Sequence, residues 1–257
     1  MPPTQREIPV SVIKRASLLL EGFGPDRQTL SLADLIRSSG LPRSTAHRLA
    51  EELTELGWLN RVDGGYQLGM RLFELGELVP VQRNLSQLAL PHMEDLRTAT
   101  GASVHLAILD GTEVVYLQVL SAKQAPPMNS RRGGRLPAHV TGVGKAMLAF
   151  ADPQTVQRVL ATGLPPMTPR SITTPGHLNR ELAAIRASGI AYDREESNVG
   201  VLCAAAPVFG PDGGVRAAIS VSGFNRRLAP RMGPAVQTAA LALSRELNRA
   251  SLLARRR

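Results

Sequence analysis

The sequence predicts an α+β protein in two parts joined by helices. Three observations carry this. The first third shows helical apolar stripes punctuated by Gly and Pro, and it ends in a Gly-rich hairpin. From Ser103 the period becomes that of β-strands, with turns at Asp110-Gly111 and Gly210-Pro211-Asp212-Gly213. Helical stretches lie between those hairpins, and a long one, Ala229 to Leu253, closes the chain. Strand hairpins among a few helices fit a largely antiparallel sheet.

In chain order, Val12, Ile13, Ala16, Leu19 and Leu20 make one helical stripe, broken at Gly22 to Asp26. Ser31-Leu32-Ala33-Asp34 is a capping-box start with Asp in place of Glu, and Gly40 ends that helix. Pro42 stands near the first position of the next helix, which runs through Ala46, Leu49, Ala50 and Leu53 to Gly57. Trp58 to Val62 and Tyr66 to Leu68 flank Asp63-Gly64-Gly65 as a hairpin. Three helices, a short Gly-containing turn at Ser39-Gly40-Leu41 and a hairpin form a winged helix-turn-helix. Helices are then expected at Met70 to Val79, ended or kinked by Pro80, and at Asn84 to Thr100, with Pro91 inside. The predicted domains are thus 1–69, a helical linker 70–100, and 101–257. In the last, strands are expected at Ser103–Leu109, Glu113–Val119, Val201–Phe209 and Gly214–Ser222. Helices are expected at Met147–Ala151, Pro153–Thr162 and His177–Ser188.

The 257 residues are 43% hydrophobic and 20% charged, which excludes wholesale disorder, collagen and a coiled-coil rod. The charge-free apolar stretches, Val199 to Gly210 and Gly233 to Ser244, are too short to span a bilayer, which takes roughly 20 residues. Cys203 is the single cysteine, so no internal disulfide forms. The first ten residues lack the apolar core of a secretory signal, and a cytoplasmic location with no membrane partner is expected.

A net charge of +9 suggests a nucleic-acid partner. Its distribution weakens that argument: residues 1–70 hold eight basic and eight acidic side chains, and residues 71–257 supply the whole excess. Individual arginines must carry the case. On the helix after Pro42 the apolar stripe points inward, and Arg43, Ser44, His47, Arg48 and Glu51 fall on outer faces. A helix that enters a major groove needs such donors near its N-terminus. Arg48 suits a guanine edge, and Ser44 and Thr45 suit phosphates. Arg61, in the hairpin, suits a wing contact. The alternative is a solvated helix in an unrelated bundle. Arg255-Arg256-Arg257 reads as a solvated tail.

The run from Ser31 through Leu41-Pro42-Arg43-Ser44-Thr45-Ala46-His47-Arg48, with Leu56-Gly57-Trp58-Leu59 and Tyr66-Gln67-Leu68-Gly69, resembles the DNA-binding domain of IclR-type transcriptional regulators. Val104 to Gly111, Arg135 to Ala146, Asp193 to Glu196 and Gly200 to Val208 are similar to that family's effector-domain motifs. Leu202 departs from the pattern, where a basic residue often precedes the cysteine. The resemblance spans about Val12 to Leu228. It implies a GAF-like effector domain that binds a small molecule, commonly an organic acid, lined by Gly142, Val143, Asp193 and Cys203. Asp193 would accept a ligand hydroxyl or position a water, and Cys203 would form a small polarizable wall. Gly142 to Ala146 suit this physically, because free amides at a helix start attract a carboxylate and glycines allow close approach. The implied partners are a pseudo-palindromic double-stranded DNA operator, the effector, and further copies of the chain in a homodimer or homotetramer.

No cofactor, metal or catalytic residue is expected. The five histidines lack ligand spacing. Gly144-Lys145 is no P-loop, since His139 replaces the first glycine and Ala146 the Ser/Thr, and no G-x-S-x-G elbow occurs. Two alternatives remain: a small-molecule sensor whose helix-turn-helix serves protein contact, and a Cys203-dependent enzyme on the same domain.

Overall fold

A computed structural model describes residues 11–123, 125, 128–223 and 229–254; the first ten residues and Arg255–Arg257 lie outside them. The chain forms two units, Met1–Pro80 and Val81–Arg257.

In the first unit, α1 (Val12–Leu20), α2 (Leu32–Ser39) and α3 (Arg43–Glu55) precede a hairpin of β1 (Leu59–Val62) and β2 (Gly65–Leu68), and α4 (Met70–Glu77) follows. Ser31 and Asp34 close the expected capping box: the Ser31 hydroxyl accepts from the Asp34 amide, and the Asp34 carboxylate accepts from the Ser31 amide, both at 3.1 Å. Gly40 ends α2 in the left-handed region, at φ 67°, where a residue with a Cβ would be strained. That turn aims α3 away from α2. Leu19, Leu35, Ala46, Leu49, Leu53 and Leu59 then meet in one core beneath α3. Pro42 is the cap of α3, next to its first residue, as expected. Phe73 and Leu78 of α4 region stay exposed.

α4 ends before Pro80, as expected, and in the second unit α5 (Pro80–Thr100) opens on Pro80, four residues before the expected start at Asn84. At the first helical position the proline's missing N–H costs nothing. There follow β3 (Ser103–Asp110), β4 (Glu113–Leu120), β5 (Arg135–Pro137), a 3₁₀ turn at Ala138–Val140, α6 (Gly142–Leu148), α7 (Pro153–Ala161), α8 (Pro175–Ser188), β6 (Ala191–Arg194), β7 (Leu202–Phe209), β8 (Val215–Gly223) and α9 (Ala229–Ala254). The six strands form one sheet in the order β5-β4-β3-β8-β7-β6, and every pairing is antiparallel. Strand alternation sorts the side chains. Val104, Leu106, Ala204, Ala206, Ile219 and Val221 pack with Leu85, Met93, Val236 and Leu243 of α5 and α9. On the other face Ala107, Cys203, Ala205 and Ala218 pack with α6 and α8.

β5 and β6 were not anticipated. α6 opens at Gly142, where a helix start is expected, and it ends at Leu148, so the helix expected over Met147–Ala151 is only its last turn. Two glycines in its first turn are unfavourable for an isolated helix. Here all seven residues of α6 are buried, and packing decides. A Cβ placed on Gly144 would lie 2.1 Å from the Ala138 carbonyl oxygen, so only glycine fits that contact. Gly144→Ala is expected to destabilise the second unit by about 1–3 kcal/mol or more, read as a lower denaturant midpoint. An unchanged midpoint would contradict this packing.

Candidate functional site

Each unit presents one candidate site. In the first, α3 turns Arg43, Ser44, His47 and Arg48 outward, whereas Thr45 is half-buried. Arg43 makes no ion pair among the described residues. Arg48 Nη1 lies 2.7 Å from Glu52 Oε1, one turn further along the helix. Arg61 does not extend from the hairpin. Its Nη1 donates to Glu51 Oε1 of α3 at 2.6 Å, and its guanidinium stacks 5.4 Å from the Tyr66 ring centroid. The Tyr66 hydroxyl donates to the same Glu51 oxygen at 3.0 Å. The hairpin is thereby tied to α3. Exposed pairs of this kind contribute about 0–1 kcal/mol, so both arginines can exchange their carboxylate for another anion at small cost.

In the second unit, the sheet face beneath α6 encloses a cavity of about 30 Å³. It is lined by all four residues nominated for it, Gly142, Val143, Asp193 and Cys203. Gly142 sits so close to β7 that an added Cβ would lie 2.8 Å from Cys203 Sγ. At the start of α6, the Gly144 amide donates to Thr141 Oγ1 (3.0 Å) and the Lys145 amide to the Thr141 carbonyl (2.9 Å). The amides of Gly142 and Val143 have no acceptor among the described residues, as first-turn amides do not. Asp193 is already engaged: its carboxylate accepts from the Glu196 amide at 2.7 Å and from the Ser197 hydroxyl at 2.5 Å. It both lines the cavity and holds the turn that follows β6. Burial raises its pKa, and those hydrogen bonds oppose the rise.

Sequence reasoning did not place several other lining residues there: His105, Tyr116, Ser130, Thr141, Ser220 and Ser222. A signal existed in β8, where Ser220 and Ser222 alternate with the buried Ile219 and Val221. His105 was read as structural, from its place in an alternating strand. It is buried, with Nε2 3.0 Å from Ser130 Oγ, and burial lowers its pKa to about 4. Burial likewise pushes the Cys203 thiol up to about 12, so it is protonated at neutral pH. Lys145 was not singled out as buried either. It is fully buried, with Nζ 2.6 Å from both Glu196 carboxylate oxygens and 3.3 Å from Glu181 Oε1. This bridge joins α6 to the segment after β6, directly behind the cavity wall. Among the described residues no cluster of three metal-ligating side chains occurs.

The His105 shift has a definite sign. Between about pH 6.5 and pH 4 the unfolded chain binds a proton at this residue that the folded chain does not, so folding stability falls on acidification through that window. The full effect is of order 3 kcal/mol. Chemical denaturation of wild type and His105→Gln across that range checks it. The glutamine variant is expected to show the shallower pH dependence.

Residues 79–249 match the family described as bacterial transcriptional regulator IclR C-terminal, and residues 12–63 match the IclR helix-turn-helix domain. The chain is 34% identical over 245 residues to the HTH-type transcriptional regulator XynR of Escherichia coli, covering 93% of this chain and 97% of that one. It is 32% identical over 219 residues to the transcriptional repressor IclR of the same organism, covering 83% and 80%. Among solved structures, an IclR homolog from Microbacterium hydrocarbonoxydans complexed with 4-hydroxybenzoate aligns with TM-score 0.85 at 33% identity, over 92% of this chain and 99% of that one. Thermotoga maritima IclR aligns with TM-score 0.72 at 31% identity, over 92% and 96%.

Proposed function

The chain belongs to the IclR family of ligand-responsive, DNA-binding transcriptional regulators, and on that premise we propose that it reads a pseudo-palindromic operator through α3 and releases or grips it on binding a small organic acid beneath α6. The observation that carries the proposal is the first turn of α6, where the amides of Gly142 and Val143, without an acceptor among the described residues, edge the cavity. Such amides suit a carboxylate. A 30 Å³ cavity holds about two waters. An organic acid therefore enters by displacing the cavity walls, and that displacement is the change a regulator needs. The IclR homolog bound to 4-hydroxybenzoate supports this ligand class and supplies the first probe.

One α3 spans too few base pairs for selectivity, so two copies on half-sites about one helical turn apart, or a multiple of it, complete the reader. The exposed Phe73 and Leu78 favour a homo-oligomer, since uncovered apolar surface is typical of contact sites. Dimer and tetramer both satisfy this. No described helix is long and apolar enough to cross a membrane, in keeping with action in the cytoplasm. The protonated Cys203 thiol disfavours a cysteine-dependent enzyme, because thiolate is the nucleophile.

Footprinting on the DNA flanking the gene tests the reader; a single asymmetric half-site would exclude the symmetric arrangement, and no protection at all would favour the protein-contact alternative. Arg43→Ala is expected to weaken all sequences alike and to lower the salt slope by about one, as a phosphate contact does. Arg48→Ala is expected to cost about 1–3 kcal/mol and to relax selectivity at one position. Glu52→Ala, which frees Arg48, is expected to bind DNA at least as tightly as wild type. For the sensor, calorimetry with 4-hydroxybenzoate is expected to show binding to wild type and none to Val143→Phe, whose operator affinity is unchanged.

A further inference from the structure

The walls of the cavity beneath α6 differ in exposure. The lining residues from α6, from the six strands and from the positions just before α6 and β7 are all buried. Those that reach solvent are Met128, Asn129 and Ser130, before β5, and Ser197 and Asn198, in the turn after β6. Among the described residues, these two short segments alone stand between the cavity and water. They meet through their side chains: Asn129 Nδ2 donates to Asn198 Oδ1 at 2.6 Å, across 69 positions of sequence. This bond is exposed, so water competes for both partners and its net contribution is small. The roots of both segments are held more firmly. Ser130 Oγ lies 3.0 Å from Nε2 of the buried His105. The Ser171 and Thr168 hydroxyls donate to the Glu196 and Glu195 carbonyls, both at 2.7 Å, and the Ser197 hydroxyl donates to Asp193 at 2.5 Å. Past Asn198 the chain runs into solvent, and Val199 is 74% exposed.

We propose that Met128–Ser130 and Ser197–Asn198 are the door of this cavity, and that the Asn129–Asn198 hydrogen bond is its latch. A cavity of about 30 Å³ behind buried side chains admits nothing much larger than water until its wall parts. Of the ways to part it, breaking one exposed side-chain bond disturbs least. Separating two strands breaks a ladder of backbone bonds. Lifting α6 strands the Lys145 ammonium that Glu196 holds at 2.6 Å. That an organic acid passes through the door rests on the assignment of this cavity as the effector site; the door itself does not. The latch has a kinetic signature. It is closed over the empty and the occupied cavity alike, so its loss lowers the barrier to entry and to exit together and leaves affinity nearly unchanged. A side chain that touches the ligand changes affinity, chiefly through the exit rate.

Cys203 reports on the door without any effector, since it is the single cysteine and lies on the inner wall. Methyl methanethiosulfonate, a small uncharged thiol reagent, is added to the full chain and labelling is followed by intact mass. Asn129→Ala and Asn198→Ala are each expected to label about fivefold faster than wild type, with unchanged thermal unfolding, as the loss of one exposed hydrogen bond allows. The double variant is expected to label no faster than either single one, because both break the same bond. Wild-type rates in the folded single variants, or a double variant whose acceleration is the product of the two, overturn the proposal. So does a wild-type rate that climbs steeply in dilute urea, since access then comes from global unfolding. If an alanine variant does not fold, Asn129→Ser and Asn198→Ser, whose shorter side chains cannot span the gap, decide by the same criteria. Stopped-flow binding of 4-hydroxybenzoate separates the door from the effector assignment. Entry and exit rates are expected to rise together in the latch variants, with Kd within about twofold of wild type. A Kd that weakens through the exit rate alone makes the asparagines ligand contacts and overturns the latch. If labelling accelerates as expected but 4-hydroxybenzoate neither binds nor protects Cys203, the door stands and the effector assignment fails.

Discussion

The approach of α6 to the sheet is the contact on which the second unit turns. Gly144 leaves no room for a methyl group against Ala138, and Gly142 leaves little against Cys203. This closeness puts the first-turn amides over the sheet and leaves only a small cavity between them. It also drives the next residue, Lys145, into the interior. A buried ammonium requires a partner, and Glu196 supplies one at 2.6 Å. That pairing fixes the segment after β6, which Asp193 then holds through Glu196 and Ser197. Removing either partner of such a bridge typically costs 3–5 kcal/mol, because the survivor is stranded. Helix, buried charge and cavity wall are one linked arrangement, and a ligand that shifts the wall works against that bridge.

The first unit uses charge differently. Its basic and acidic residues balance, so attraction to a polyanion must come from placement. On the proposed reading α3 supplies that placement, and two of its carboxylates pair with nearby arginines. Glu52 restrains Arg48, and Glu51 gathers Arg61 and Tyr66. Arg43, at the N-terminal end of α3, is exposed and has no ion pair among the described residues.

Much of this was legible in the sequence where local chemistry decides the outcome. Ser31 with Asp34, Gly40, and the Asp110-Gly111 turn each act within a few residues, and each produced the expected boundary. The family motifs pointed to Gly142, Val143, Asp193 and Cys203, which do line one cavity. What was hidden depends on distant partners. β5 and β6, of three and four residues, are strands only because a longer neighbour offers them hydrogen bonds. The extent of α6 was misjudged, because glycine opposes helix locally while tertiary packing demands it here. The burial of Lys145 was not foreseen, because its carboxylate partner Glu196 lies 51 positions away. Arg61 looked like a free wing residue because its tether to Glu51 crosses from hairpin to helix.

The state of Cys203 bears on how long an encounter in the cavity lasts. It is the one sulfur nucleophile of the chain, and burial holds it as a thiol at neutral pH. Thiols of this kind react slowly with aldehydes, quinones and other electrophiles, because attack needs the thiolate. A carbonyl compound that rests against this sulfur departs chemically unaltered. Occupancy then follows the free concentration of the visitor at each moment, with no covalent memory of what was there before.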